Sequence, residues 1–175
     1  MQSWRLPILF LGLTVAFPAS AADTEKCATN MVCASNPQSV VDGLQNAGFK
    51  AKLDKDSTGD PMVTSAASGY NFTVFFYECE KAASCASVQL NASFEADDQH
   101  SAGYANDWNR KKRFIQASVN DKKEVELRYD VTTIGGINQR NFKDVIEWWS
   151  SMLGEYSNFV AARPKEEAAS APSAP

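Results

Sequence analysis

Tyr70-Asn71-Phe72-Thr73-Val74-Phe75-Phe76-Tyr77-Glu78-Cys79 and, after a short break, Cys85-Ala86-Ser87-Val88-Gln89-Leu90-Asn91-Ala92-Ser93-Phe94 form the stretch on which the fold turns. Both runs alternate apolar with polar positions and are rich in β-prone residues, the pattern of two paired strands. With Cys79 opposite Cys85, Phe76 meets Val88, Val74 meets Leu90, Phe72 meets Ala92 and Tyr70 meets Phe94. A slip of one residue would set every apolar side chain against a polar one, so the hydrophobic pattern and the cysteines choose the same register independently. The hairpin is expected to be the centre that other elements cover on one face. Phe75 and Tyr77 point to the other, more polar face, beside Ser87 and Gln89.

Outward from this hairpin, the first helix starts at Asn36, an N-cap residue followed by Pro37, and carries the stripe Val40, Val41, Leu44, Ala47 before Gly48. Phe49 to Leu53 and Met62 to Ser65 read as short strands separated by Ser57-Thr58-Gly59-Asp60-Pro61, and Ala67-Ser68-Gly69 turns into the central hairpin. Short connections favour an antiparallel meander. From Ser101 the period changes: Tyr104, Ala105 and Trp108 lie on a helix that ends in Arg110-Lys111-Lys112-Arg113, where cations complement the helix dipole. Ile115, Ala117 and Val119, then Val125, Leu127, Tyr129 and Val131, form a second hairpin if an odd-length turn joins them. Ile134 to Ile137 reads as a loop. Asn138 caps a last helix whose broad apolar face holds Phe142, Val145, Ile146, Trp149, Met152, Leu153, Tyr156 and Val160, with Gly154 a point where it bends or ends. The order α-β-β-β-β-α-β-β-α predicts a two-layer α+β domain with an antiparallel sheet.

The ends of the 175-residue chain read differently. Residues 1–21 hold Arg5, an apolar run from Leu6 to Phe17 and Ala19-Ser20-Ala21, the form of a signal peptide cut near Ala21. The run is too short for a membrane anchor, which needs roughly 18 or more apolar residues. Residues 22–35 read as an arm closed by Cys27 and Cys33, residues 36–160 as the α+β domain, and residues 161–175 as a disordered Ala/Pro tail. A cleaved leader implies a periplasmic or secreted protein. Its removal leaves 16 basic against 21 acidic residues, a formal charge of −5, which disfavours nucleic acid and anionic lipid as partners. Four cysteines in an oxidising compartment are most simply two disulfides. The register selects Cys79–Cys85, and elimination leaves Cys27–Cys33. Both spacings are C-x5-C and His100 is the only histidine, a poor set for zinc, so neither metal nor cofactor is expected.

No catalytic constellation emerges, and the chain is not expected to be an enzyme. Its carboxylates lie at turns or on polar faces without a histidine beside them, and Gly135-Gly136 lacks the context of a phosphate loop. Candidate partner-binding residues are Trp148 and Phe159 at the margin of the last helix, Phe75 and Tyr77 on the polar face of the hairpin, Trp108, and Arg113 in the basic run. The plainer account of Trp148 is that it closes the rim of the core, and that of the basic run is a solvated helix end. The partners expected are a protein or peptide, or a second copy of the chain in a homodimer. A small-ligand sensor with a pocket between the central hairpin and the last helix is the alternative.

Asn36-Pro37-Gln38-Ser39-Val40-Val41, Ser57-Thr58-Gly59-Asp60-Pro61, Tyr70-Asn71-Phe72, Trp108-Asn109 with Arg113-Phe114, and the helix from Phe142 to Trp149 together resemble the YbjN domain family. The resemblance spans roughly Asn36 to Val160 and rests on the order of short motifs. It implies a fold similar to the small dimeric chaperones of type III secretion, a label as sensory-transduction regulators, and no catalytic residues. The leader and the four cysteines set this chain apart from the commonly cytoplasmic members.

Overall fold

The central register is decided by which side chains leave water together. In the computed structural model, which describes residues 22–163, Val74 pairs with Leu90, Phe76 with Val88 and Thr73 with Asn91, as the alternation requires. The expected leader, residues 1–21, and residues 164–175 of the expected tail lie outside the described residues.

The chain runs β1 (Met31–Val32), α1 (Pro37–Asn46), β2 (Ala51–Lys55), β3 (Pro61–Ala67), β4 (Tyr70–Tyr77), β5 (Ser87–Phe94), α2 (Ala102–Lys111), β6 (Gln116–Val119), β7 (Val125–Thr132), β8 (Ile137–Asn138) and α3 (Gln139–Ala161). This is the expected α+β order with two short strands added. The main sheet is antiparallel throughout in the order β2-β3-β4-β5-β7-β6. Ala67 pairs with Tyr70, so Ser68 and Gly69, both at positive φ, form a two-residue hairpin turn that suits the strand twist. The β6–β7 turn spans residues 120–124, an odd length, because Val119 pairs with Val125.

One face of the sheet carries the core. Val63, Phe72, Val74, Phe76, Val88, Leu90, Ala92, Val125 and Leu127 are buried, and the apolar stripes of all three helices join them in one cluster. From α3, Trp149 stands edge-on to Phe72 with ring centroids 5.7 Å apart. The contact of α1 with α3 depends on Gly43, where a Cβ would lie 2.7 Å from the Phe142 ring. At the β6 edge, the Asn109 side chain of α2 accepts from the Ala117 N–H at 2.8 Å and donates to its carbonyl at 3.0 Å. That side chain stands where a further strand would pair, so the edge is closed.

Four local expectations are revised. Asn36 occupies the N-cap of α1, yet its side chain makes no capping bond; the Ser39 hydroxyl instead donates to the Asn36 carbonyl at 2.6 Å. The helix α3 passes through Gly154 to Ala161, held by the buried face that includes Leu153 and Tyr156. Met31–Val32, read as arm, pairs with Ile137–Asn138, read as the end of a loop and the cap of the last helix. Arg163, assigned to the tail by composition, lies over the Tyr104 ring at 4.0 Å and bonds Asp107 at 3.2 Å.

Both disulfides, Cys27–Cys33 and Cys79–Cys85, have the expected connectivity. Buried Thr133 ties their neighbourhoods together: its hydroxyl accepts from the Ala34 N–H at 2.7 Å and donates to the Ala86 carbonyl at 3.2 Å. Thr133→Val keeps the shape and leaves the buried Ala34 N–H without that acceptor. The expected loss in urea unfolding is about 1–3 kcal/mol, and a change below about 0.3 kcal/mol would show that the bridge contributes nothing.

Candidate functional site

Among the described residues, the exposed aromatic side chains lie on two surfaces: a ring cluster on the helix side, and the outer face of the sheet. The first begins with two adjacent apolar residues. Phe114 and Ile115 are adjacent in the short connection between α2 and β6, and one of them enters the core while the other is left outside. Ile115 is buried and Phe114 is 41 % exposed. Phe114 has φ +69°, a left-handed conformation that is costly for a bulky side chain. Its ring meets Trp148 of α3 at 5.0 Å between centroids and Tyr129 of β7 at 6.1 Å. The Arg113 guanidinium lies 4.8 Å above the Phe114 ring. Trp148 is 42 % exposed. Burial, with the Asp144 carboxylate adding to it, raises the Tyr129 pKa, so that phenol is neutral in the physiological range.

The remaining candidates of the helix side are structural. Trp108 is fully buried, its indole N–H donating to the Ile115 carbonyl at 3.0 Å, and it is unavailable to a partner. Phe159 closes the same cluster, 5.5 Å from the Trp108 ring and 5.2 Å from that of Tyr104, with Arg163 4.6 Å above it. Beneath them the buried Tyr104 hydroxyl donates to the Tyr156 hydroxyl at 3.0 Å. Burial first, and the bond to Tyr104 second, push the Tyr156 pKa far above the ordinary tyrosine range, and burial raises that of Tyr104 as well. The basic run is engaged within the fold: Arg110 pairs with Asp107, Lys112 bonds Glu155 at 2.8 Å, and Lys111 lies 5.9 Å from the Phe159 ring. Arg113 is the member that faces the exposed ring cluster.

On the outer face of the sheet, Phe75, half-buried, and Tyr77, 45 % exposed, line a shallow groove of about 620 Å³ with Gln89, Asn91 and Arg128. The hairpin tip forms its rim; Glu78, just before the loop closed by Cys79–Cys85, and Lys81, Ala82 and Ser84 within it all have positive φ. His100 hydrogen-bonds through Nδ1 with the Lys123 carbonyl at 2.8 Å and packs on Tyr104. Among the described residues no group of three His, Cys, Asp or Glu is arranged to hold a metal, and no helix is long and apolar enough to cross a membrane.

Phe114 is the functional candidate that residue patterns missed. Its signal was the break in alternation at Arg113-Phe114-Ile115, which forces one large apolar side chain outward.

Similarity to known proteins covers most of the described chain. A family model described as "YbjN: Putative bacterial sensory transduction regulator" matches residues 36–162. Among solved structures, one titled "Crystal structure of YbjN, a putative transcription regulator from E. coli" superposes with a TM-score of 0.51 at 10 % identity, covering 73 % of this chain and 94 % of that one. That likeness is one of fold. No curated protein matches the sequence.

Two measurements check these assignments. Trp149→Ala is expected to cost about 3–5 kcal/mol by opening the core, and Trp148→Ala less than about 1 kcal/mol; equal losses would refute the division between the neighbouring tryptophans. Because the folded chain keeps the Tyr104 and Tyr156 protons while the unfolded chain releases them near pH 10, stability is whole below about pH 10 and falls as pH rises beyond it. Tyr156→Phe should therefore flatten the loss in urea midpoint between about pH 9 and about pH 11. An unchanged slope would contradict the assignment.

Proposed function

The chain belongs to the YbjN family, and we propose that it is an exported, non-enzymatic binding module with a regulatory, chaperone-like role, holding a protein or peptide partner at the Phe114–Trp148 ring pair. The observation that carries this reading is the presentation of two aromatic side chains in contact at the surface, their rings tilted by 46°, one of them from a left-handed backbone position. Large rings surrounded by polar groups are the usual anchors of protein interfaces, and their two side-chain torsions make ordering them inexpensive. Arg113 beside Phe114, with Asp144 and Glu147 beside Trp148, supplies a polar rim.

An extracytoplasmic location is supported by the two disulfides, which persist in oxidising compartments, and by the leader-like pattern of residues 1–21. A regulator in that location acts on exported proteins and not directly on nucleic acid. The ligand-sensor alternative calls for a pocket between the β4–β5 hairpin and α3. Phe72, Val74, Leu90, Ile146, Trp149 and Leu153 fill that contact as buried side chains.

A photo-crosslinking residue placed at position 114 in the full-length, exported chain tests the proposal. The expected result is a discrete heteromeric adduct in periplasmic extract that Trp148→Ala reduces about tenfold. No adduct, or one that Trp148→Ala leaves unchanged, would overturn it. An adduct at twice the mass of the chain would transfer the site to a homodimer.

A further inference from the structure

The two edges of the main sheet end differently. At β6 the Asn109 side chain occupies both bonding groups of Ala117, whereas β2 pairs with β3 on one side and, among the described residues, with no strand on the other. Bonding in an antiparallel ladder alternates, so every second residue directs both its N–H and its C=O away from the neighbouring strand. The Asp56 N–H donates to the Asp60 carbonyl at 2.9 Å, which turns the even-numbered residues of this ladder toward β3. Pro61, which has no N–H to offer, stands opposite Lys55, as the same parity requires. Ala51, Leu53 and Lys55 therefore aim their backbone groups at the open edge. Two of those groups have local substitutes: the Gln45 amide donates to the Ala51 carbonyl at 3.3 Å, and the Lys55 N–H donates to the Asp54 carboxylate at 2.9 Å. Leu53 stands between them. Its side chain lies opposite buried Val63, on the sheet face that carries the core, yet is 41 % exposed.

From this edge we infer that β2 docks a second copy of the chain, strand to antiparallel strand, about a two-fold axis at Leu53. Lysine on an edge strand ordinarily blunts it. Here the strand reads Lys50-Ala51-Lys52-Leu53-Asp54-Lys55-Asp56, and its outer-face charges change sign across Leu53. With the axis at Leu53, Lys52 faces Asp54 of the second copy, Lys50 faces Asp56, and the two Leu53 side chains cover each other beside the core. An axis at Lys52 or Asp54 sets that charge against itself. An axis at Ala51 sets Lys50 against Lys52, and one at Lys55 sets Asp54 against Asp56. A shift to an axis between residues would oppose outward-bonding to inward-bonding positions. One register alone thus satisfies both the backbone groups and the charges. The charged pairs are exposed and serve to exclude wrong registers more than to supply affinity. With five residues in β2 the contact is small, so association is weak and reversible. It lies at the sheet edge opposite β6, which Phe114 precedes, and is independent of the ring pair proposed above.

Sedimentation equilibrium of the exported, oxidised protein from about 10 µM to about 1 mM tests the inference. The mass should rise toward that of a dimer and no further, because a two-fold contact closes on itself. Lys52→Asp and Asp54→Lys should each weaken association about tenfold or more by setting like charges across the axis. An equimolar mixture of the two variants should regain association at least as strong as that of the unaltered chain, since every altered residue then faces its opposite charge. Both positions are exposed, and recovery in the mixture separates a lost contact from a lost fold. A monomer at about 1 mM would overturn the inference and leave the edge to a strand of another protein. So would a dimer indifferent to both variants, variants that mixing does not restore, or growth beyond the dimer.

Discussion

Cross-strand burial of Val74 against Leu90 and Phe76 against Val88, beneath the helix layer to which Trp149 belongs, is the interaction on which the molecule depends. Each such pair contributes about 0.2–1 kcal/mol beyond the burial of its surface. Its larger effect is combinatorial. With a side-chain period of two, these pairs decide which residues of β4 and β5 enter the core and so which are left outside. Once Val74 and Phe76 point inward, Phe75 and Tyr77 must point outward. The same constraint passes through the ladder to β3 and β7, so one face of the sheet is filled and the other keeps its amides, hydroxyls and rings.

Helix packing completes the division of surfaces. Gly43 lets α1 approach Phe142, Asn109 closes the β6 edge, and the aromatic cluster around Trp108 and Tyr156 is sealed by Phe159 and Arg163. Much of the basic run is consumed in this sealing, through Lys112 with Glu155 and Lys111 near Phe159. One place the helix side leaves unsealed is the short turn after α2. There Ile115 takes the inward position, and Phe114 is pushed out onto Trp148. A backbone position that disfavours a bulky side chain is maintained because buried Ile115 and the Asn109–Ala117 bonds pin the residues after it, while the Lys112 N–H donates to the Trp108 carbonyl at 3.0 Å before it.

The features legible in the sequence are those with a strict period or a covalent constraint. The hairpin register, both disulfides, the odd-length turn before Val125 and the cap of α3, where the Asn138 side chain accepts from the Asn141 N–H at 2.9 Å, follow from alternation, cysteine spacing and local hydrogen bonding. The exposure of Trp148, one position from fully buried Trp149, follows from the 100° step of a helix. Features decided by tertiary contact were not legible. Trp108 shares the apolar spacing of α2 with Tyr104 and Ala105, but its sealing by Phe159 and Tyr156 from α3 is a convergence that no local pattern reports. The strand Met31–Val32 is too short to show a period and exists only because Ile137–Asn138 lies beside it. Gly154 carries a propensity cost of about 1 kcal/mol, which the buried face of α3 outweighs.

Hydroxyl-radical footprinting of the oxidised, full-length protein reads the central division directly, residue by residue. The account predicts modification at Tyr77, Phe114 and Trp148 in the native protein, with Trp108 and Trp149 protected until the chain unfolds. Protection of Tyr77 and Trp148, or ready modification of Trp149, would contradict the assignment of one sheet face to the core and the other to solvent.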